Sequence, residues 1–197
     1  MTACSLSRLA ILLVALLLAE PACADGVRPA NPACLAGVCV GEKAPTESAL
    51  KQRFGGKSFD LGFRTRGYCY EVAAPNKGTA HLLFALKSFG DGWRVVSVRA
   101  SASPICTAAT PLKRAIDLKT SEGLVLGESV ARVRALYGAA THTLEATSKV
   151  VAEIMLSKTQ GVTSALQYVP ADPSLALSAL FVVANDRVVA IQVSSDV

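Results

Sequence analysis

The sequence predicts an α+β fold made of two tandem repeats, each a short helix packed on an antiparallel meander sheet. Three observations point there. Gly37-Val-Cys-Val-Gly41-Glu42 reappears as Gly123-Leu-Val-Leu-Gly127-Glu128. Each copy then enters a short helical pattern that stops at an aromatic residue and a glycine, Phe54-Gly55 in one and Tyr137-Gly138 in the other. Near the far end of each copy, Arg94-Val-Val-Ser-Val-Arg-Ala-Ser101 aligns with Arg187-Val-Val-Ala-Ile-Gln-Val-Ser194. These markers keep one order in both halves, which chance rarely produces.

Residues 1–24 read as a signal peptide: Arg8 supplies the positive start, Leu9 to Ala19 the apolar core, and Ala22 and Ala24 the small residues before cleavage after Ala24. That core is eleven residues long, well short of the about 20 that a spanning helix needs. The chain is therefore expected to be periplasmic or secreted and not membrane-spanning. Residues 25–33 form an N-terminal segment. Hydrophobic residues make up 51% of the chain and continue beyond the leader, which excludes low-complexity disorder.

Four cysteines follow the leader: Cys34, Cys39, Cys69 and Cys106. In an oxidising compartment an even set of this size predicts two disulfides, with three pairings open. The short Cys34-Leu-Ala-Gly-Val-Cys39 loop favours a local bridge and leaves Cys69 for Cys106. There is no C-x-x-C and no neighbouring histidine, so a metal or redox role is not expected.

Repeat 1 covers residues 34–101. Thr46 is an expected N-cap, Leu50 and Phe54 share one helical face, and Gly55 supplies the left-handed residue that ends the helix. A helix of two to three turns needs packing to persist. Strands are expected at Ser58–Phe63, Tyr68–Ala73, His81–Ser88 and Trp93–Ser101, broken at Pro75-Asn76-Lys77-Gly78 and at the hairpin signal Gly90-Asp91-Gly92. Residues 102–120 form a connector in which Ile116-Asp-Leu118 is expected to add a strand.

Repeat 2 covers residues 121–197. Its helix enters at Ser129, presents Val130, Val133 and Tyr137 on one face and ends at Gly138. Strands are expected at Thr141–Ala146, Val150–Leu156, Ala165–Val169, Leu177–Ala184 and Arg187–Ser194, the last two joined at Asn185-Asp186, with Ala171-Asp172-Pro173 as a loop. Repeat 1 is longer between its glycines, 14 steps from Gly41 to Gly55 against 11 from Gly127 to Gly138.

An apolar strand ending in glycine, a helix entered at Ser or Thr, an aromatic-Gly stop and a meander closing on Arg-Val-Val together resemble the fold of the β-lactamase inhibitory proteins and of the small outer-membrane assembly lipoproteins that share its repeat. Lys119 to Gly138 carries the resemblance most fully, and the tandem architecture would span nearly all of the chain after the leader. The resemblance implies a sheet face that grips another protein, as it grips an enzyme in the inhibitory proteins. No inhibitory position of that family is recognisable here.

The material for catalysis is sparse. His81 and His142 are the two histidines, and neither stands in an H-x-x-x-H or H-E-x-x-H spacing. G-x-S-x-G is absent, and no carboxylate pair stands out as an acid–base couple. Glu42 and Glu128 sit just ahead of a helix, where they serve as charge partners for its positive end. No enzyme activity, cofactor or metal is expected.

Charge is unevenly placed. Of the net +5, Asp25 to Ile116 carries thirteen basic and six acidic residues, whereas Asp117 to Val197 carries six and eight. A basic first half favours an acidic protein partner or an anionic envelope component. Nucleic acid is not expected, since the chain reads as exported and contains no recognised nucleic-acid module.

Strand alternation, with Leu82, Phe84 and Leu86 taken as core, assigns Tyr68, Tyr70, His81 and Lys87 to the solvent face, joined by Arg64, Arg66 and Arg99. Exposed Tyr and Arg together suit a binding face. The competing reading makes Arg64 and Arg66 a solvated edge that discourages sheet-to-sheet association and puts the tyrosines in the core. The expected function is an exported, non-enzymatic binding protein that engages another envelope or secreted protein through its sheet face, with inhibition of a hydrolase as one form of that role. The alternative is a structural or assembly factor of the bacterial cell envelope.

Overall fold

A computed structural model of the chain describes residues 33–74, 78–154, 161–169 and 177–195. The expected leader, the expected Ala171-Asp172-Pro173 loop and most of the expected Pro75 break lie outside these residues. A small hairpin comes first, β1 (Cys34–Leu35) and β2 (Val38–Cys39), followed by a 3-10 turn at Gly41–Lys43 and helix α1 (Glu47–Phe54). Four strands succeed it: β3 (Phe59–Gly62), β4 (Thr65–Ala73), β5 (Thr79–Phe89) and β6 (Gly92–Ser101). After the short β7 (Thr110–Pro111) come helix α2 (Val130–Tyr137), β8 (His142–Glu145), helix α3 (Lys149–Ile154), β9 (Val162–Tyr168), β10 (Leu177–Ala184) and β11 (Arg187–Ser195). The expected α+β class is met: the described residues are mostly antiparallel sheet with few short helices.

The main sheet runs β3-β4-β5-β6-β11-β10-β9-β8, so each half contributes a meander and the two meanders join where β6 pairs antiparallel with β11. Three two-residue turns have both central residues at positive φ: Ala36-Gly37, Phe63-Arg64 and Asn185-Asp186. Their twist matches the strands that they connect.

Both longer helices begin and end by the same means. Thr46 Oγ1 accepts from the Ala49 amide at 3.4 Å, and Ser129 Oγ accepts from the Arg132 amide at 3.2 Å. Thr46 also bridges to Arg94, and Ser129 to Arg187, at the two Arg-Val-Val segments. Gly55 and Gly138 close the helices at φ 68° and 73°. Each final aromatic residue packs into a ring cluster: Phe54 with Tyr70 and Phe84, Tyr137 with Tyr168 and Phe181, all with centroids between 4.9 and 5.8 Å. Leu50, Val133 and these rings belong to one continuous core on one face of the sheet.

The opposite face carries two smaller clusters. Cys69 and Leu83 pack with Ile105, and the Cys69–Cys106 disulfide ties the loop after β6 to β4 there. Val151 and Ile154 of α3 cover Ala165, Leu180, Val182 and Ala190. The second disulfide, Cys34–Cys39, closes the β1–β2 hairpin at directly paired positions. This is the pairing that the short loop favours.

Two expected strands are corrected. Of the expected strand Val150–Leu156, the described residues 150–154 are helical instead: Lys149–Ile154 is α3, capped by Ser148 Oγ, which accepts from the Val151 amide at 3.2 Å. Paired valines raise strand propensity, but Val151 and Ile154 stand three apart and bury together on one helical face. Ile116-Asp-Leu118 adds no strand either. Leu118 drops into the core instead, and Lys119 and Thr120 make isolated bridges to Val125 and Leu35. No described helix is long and apolar enough to cross a membrane.

Candidate functional site

The seven residues singled out from the sequence divide between the two faces of the sheet. Tyr68 and Tyr70 are corrected first, since both are fully buried rather than on a solvent face. In the β4–β5 register Tyr68 lies opposite Phe84 and Tyr70 opposite Leu82. Directly paired residues share a face, so the tyrosines belong with the Leu/Phe core. Their hydroxyls find partners inside: Tyr68 donates to Glu47 Oε1 at 2.5 Å and Tyr70 to the Gly55 carbonyl at 2.6 Å. Burial pushes the Tyr70 phenol well above its ordinary range.

His81, Lys87 and Arg99 lie on the far side of the sheet, away from α1 and α2. Arg99 is spent internally: its Nε donates to Gln192 Oε1 at 2.9 Å, and its Nη1 to the carbonyls of Glu153 and Ile154 at 3.3 and 3.2 Å. It holds the last turn of α3 to the centre of the sheet. Burial draws its guanidinium down to about 10, which leaves it charged at neutral pH. His81 pairs in register with Glu71 and Ser101, and its Nδ1 is buried with no hydrogen-bond partner. Lys87 stays exposed, with its Nζ 6.0 Å from the Phe89 ring centroid.

Arg64 and Arg66 do come together, at the β3–β4 hairpin. They line a groove of about 670 Å³ with Phe59, Asp60, Phe63 and Trp93. Arg66 stacks on Trp93, its guanidinium carbon 4.2 Å from the ring centroid, and its Nη1 lies 3.5 Å from Glu47 Oε2. Glu47 also receives Lys51 Nζ at 3.2 Å. The Tyr68 hydroxyl above all, then Lys51 and Arg66, hold the Glu47 carboxyl below its ordinary range against the opposing effect of burial. One carboxylate at the start of α1 thus fixes the base of the Arg66 side chain's setting.

The hairpin tip is the unusual part. Phe63 is wholly exposed, at 102% of its reference area, and sits at φ 48° beside Arg64 at φ 56°. A bulky side chain in the left-handed region costs on the order of 1–3 kcal/mol and persists only where its surroundings enforce it. Asp60 Oδ1 accepts from the Gly62 amide at 2.8 Å, and the β3–β4 register shifts between Asp60 and Gly62. Gly67 is a second requirement: a Cβ there would stand 2.5 Å from the Phe59 ring, so only glycine lets that ring lie over β4. Leu61, 42% exposed, adds apolar surface beside the tip.

Phe63, Trp93 and Glu47 were absent from the residues that the sequence singles out. Phe63-Arg64 carries none of the usual turn residues, so the expected strand Ser58–Phe63 took in its first residue. Glu47 and Trp93 reach Arg66 only through tertiary packing.

The groove lining holds neither a histidine nor a cysteine. His81 on β5 and His142 on β8 are separated by β6, β11, β10 and β9, so they share no site. Among the described residues, no group of three His, Cys, Asp or Glu side chains could hold a metal ion. What the groove offers is an apolar knob, two guanidinium groups and, from β6, an indole. No family model, curated protein or solved structure matches the chain.

Proposed function

We propose that the chain is an exported, non-enzymatic binding protein, built from a duplicated helix-and-sheet unit, that engages another envelope or secreted protein through the β3–β4 hairpin. One observation carries the reading. Phe63 stands fully in solvent at a conformation that disfavours it, next to Arg64 and the Arg66–Trp93 stack. Exposed aromatic and arginine anchors are what interface hot spots use, and backbone strain collects at working sites.

Support for duplication comes from the matched N-caps, the matched bridges from those caps to Arg94 and Arg187, the two ring clusters and the mirrored strand order. Export is supported by the two disulfides, which suit an oxidising compartment. The partner is acidic at its contact, since Arg64 and Arg66 lie at the groove. A hydrolase is the partner class that the resemblance of residues 119–138 implies.

Affinity capture from envelope extract tests this reading, with wild type compared against a Phe63→Ala/Arg64→Glu double variant of unchanged circular dichroism and melting temperature. Wild type is expected to retain a partner that the double variant loses. Equal recovery by both would place the binding surface elsewhere.

A further inference from the structure

Away from the hairpin, a cleft of about 390 Å³ opens between the C-terminal end of α1, the β1–β2 turn and residues 114–121. Arg53 and Arg114 both line it, and both rest on the Phe54 ring, their guanidinium carbons 4.9 and 5.1 Å from its centroid. Backbone carbonyls fix them further. Arg53 donates from Nη1 to Gly37 at 2.6 Å and from Nη2 to Ala36 at 3.2 Å, and Arg114 donates from Nη2 to the carbonyl of Arg53. A guanidinium carries five N–H donors, so each retains several for a ligand. The seat of Arg53 depends on Gly37, where a Cβ would stand 2.7 Å from Nη2.

Their charge is not neutralised by any ion pair among the described residues. Asp117, the acidic residue of the lining, is held by Lys119 at 2.6 Å. The carbonyl end of α1 contributes about half a negative charge, less than the two cations beside it. A cleft of about 580 Å³ beside the 3-10 turn has no such excess, since Glu42 and Asp91 there balance Lys43 and Arg94.

We propose that this cleft binds a compact oxyanion group, a carboxylate or phosphate, held between Arg53 and Arg114. Planar guanidinium groups match either anion through paired N–H donors. Stacking on Phe54 and the carbonyl contacts order both side chains before a ligand arrives, which lowers the entropy lost on binding. The site does not depend on the hairpin reading.

The test is titration of the purified protein with inorganic phosphate and, separately, with acetate, at ionic strength held constant with sodium chloride, followed by amide NMR shifts. Saturable shifts at Gly37, Ala115 and Ser121 are expected, with binding weakened at least tenfold in Arg114→Gln and less than twofold in Lys113→Gln, whose residue lies outside the cleft lining. Saturation by phosphate alone assigns a phosphate-bearing ligand, and by acetate alone a carboxylate; either supports the site. Arg114 is chosen because Arg53 also pins the β1–β2 turn. If Arg114→Gln does not fold, the wild-type titration still decides. Saturation by neither anion, or equal weakening in Lys113→Gln, overturns the proposal.

Discussion

The Tyr70 hydroxyl donates to the carbonyl of Gly55 at 2.6 Å, so a side chain of the sheet closes the end of the helix lying across it. Tyr168 does the same for Gly138 at 3.1 Å in the second half. Each bond satisfies a carbonyl that the end of the helix leaves without an intrahelical partner. Tyr70→Phe and Tyr168→Phe are each expected to lower unfolding free energy by about 1 kcal/mol, with little change in buried area. Urea denaturation measures it. Midpoints unchanged from wild type would mean that water serves these carbonyls equally well.

The two disulfides close loops of very different length, 37 residues for Cys69–Cys106 and 5 for Cys34–Cys39. Chain entropy alone assigns about 4 kcal/mol to the first and about 2 kcal/mol to the second. Replacing Cys69 and Cys106 together by serine is expected to destabilise the protein more than replacing Cys34 and Cys39. Thermal unfolding of the two double variants gives the order, and the reverse order would refute the entropic argument.

Phe63 at φ 48° is expected to be held at a cost to stability. Phe63→Asn, which places a residue tolerant of the left-handed region at the turn, should raise unfolding free energy by about 1 kcal/mol. The same variant should bind partner less well. A variant that is less stable than wild type would show that the Phe63 ring contributes favourable packing despite its exposure.

Glu47 sets an acid-sensitive contact between α1 and the sheet. Its carboxyl is held below the ordinary value of 4.5 by the Tyr68 hydroxyl, Lys51 and Arg66. A group with a depressed folded-state pKa contributes stability above its unfolded value, and that contribution is lost as pH falls through the folded value. Glu47→Gln is therefore expected to be less stable than wild type at pH 6 and to show a flatter decline below about 4.5. Urea midpoints between pH 2.5 and 6 check the slope; parallel curves would mean that the carboxylate is not the group responsible.

Much of this fold was legible in the chain because local chemistry specifies it. Thr46 and Ser129 before an apolar face, Gly55 and Gly138 after an aromatic, and Asn185-Asp186 between apolar runs each constrain the backbone by themselves. Face assignments were harder. Alternation within β4 separates Tyr68 and Tyr70 from Cys69, and alternation within β5 separates Leu82 and Phe84 from His81. Neither pattern relates the two strands until their register is known, and it is the Tyr68–Phe84 pairing that turns the tyrosines inward. Arg99 was misread for a related reason, since the α3 carbonyls that bind it lie more than fifty residues away along the chain. The Phe63-Arg64 turn was hidden because its residues oppose the conformation that they adopt.

The binding role of the β3–β4 hairpin is tested most directly by photocrosslinking in the producing cell. A benzophenone amino acid is placed at position 63, at the hairpin tip, or at position 142, exposed on β8 at the opposite edge of the sheet. Position 63 is expected to give a discrete protein adduct on irradiation and position 142 none. An adduct from position 142 with none from position 63 would contradict the hairpin as the binding surface.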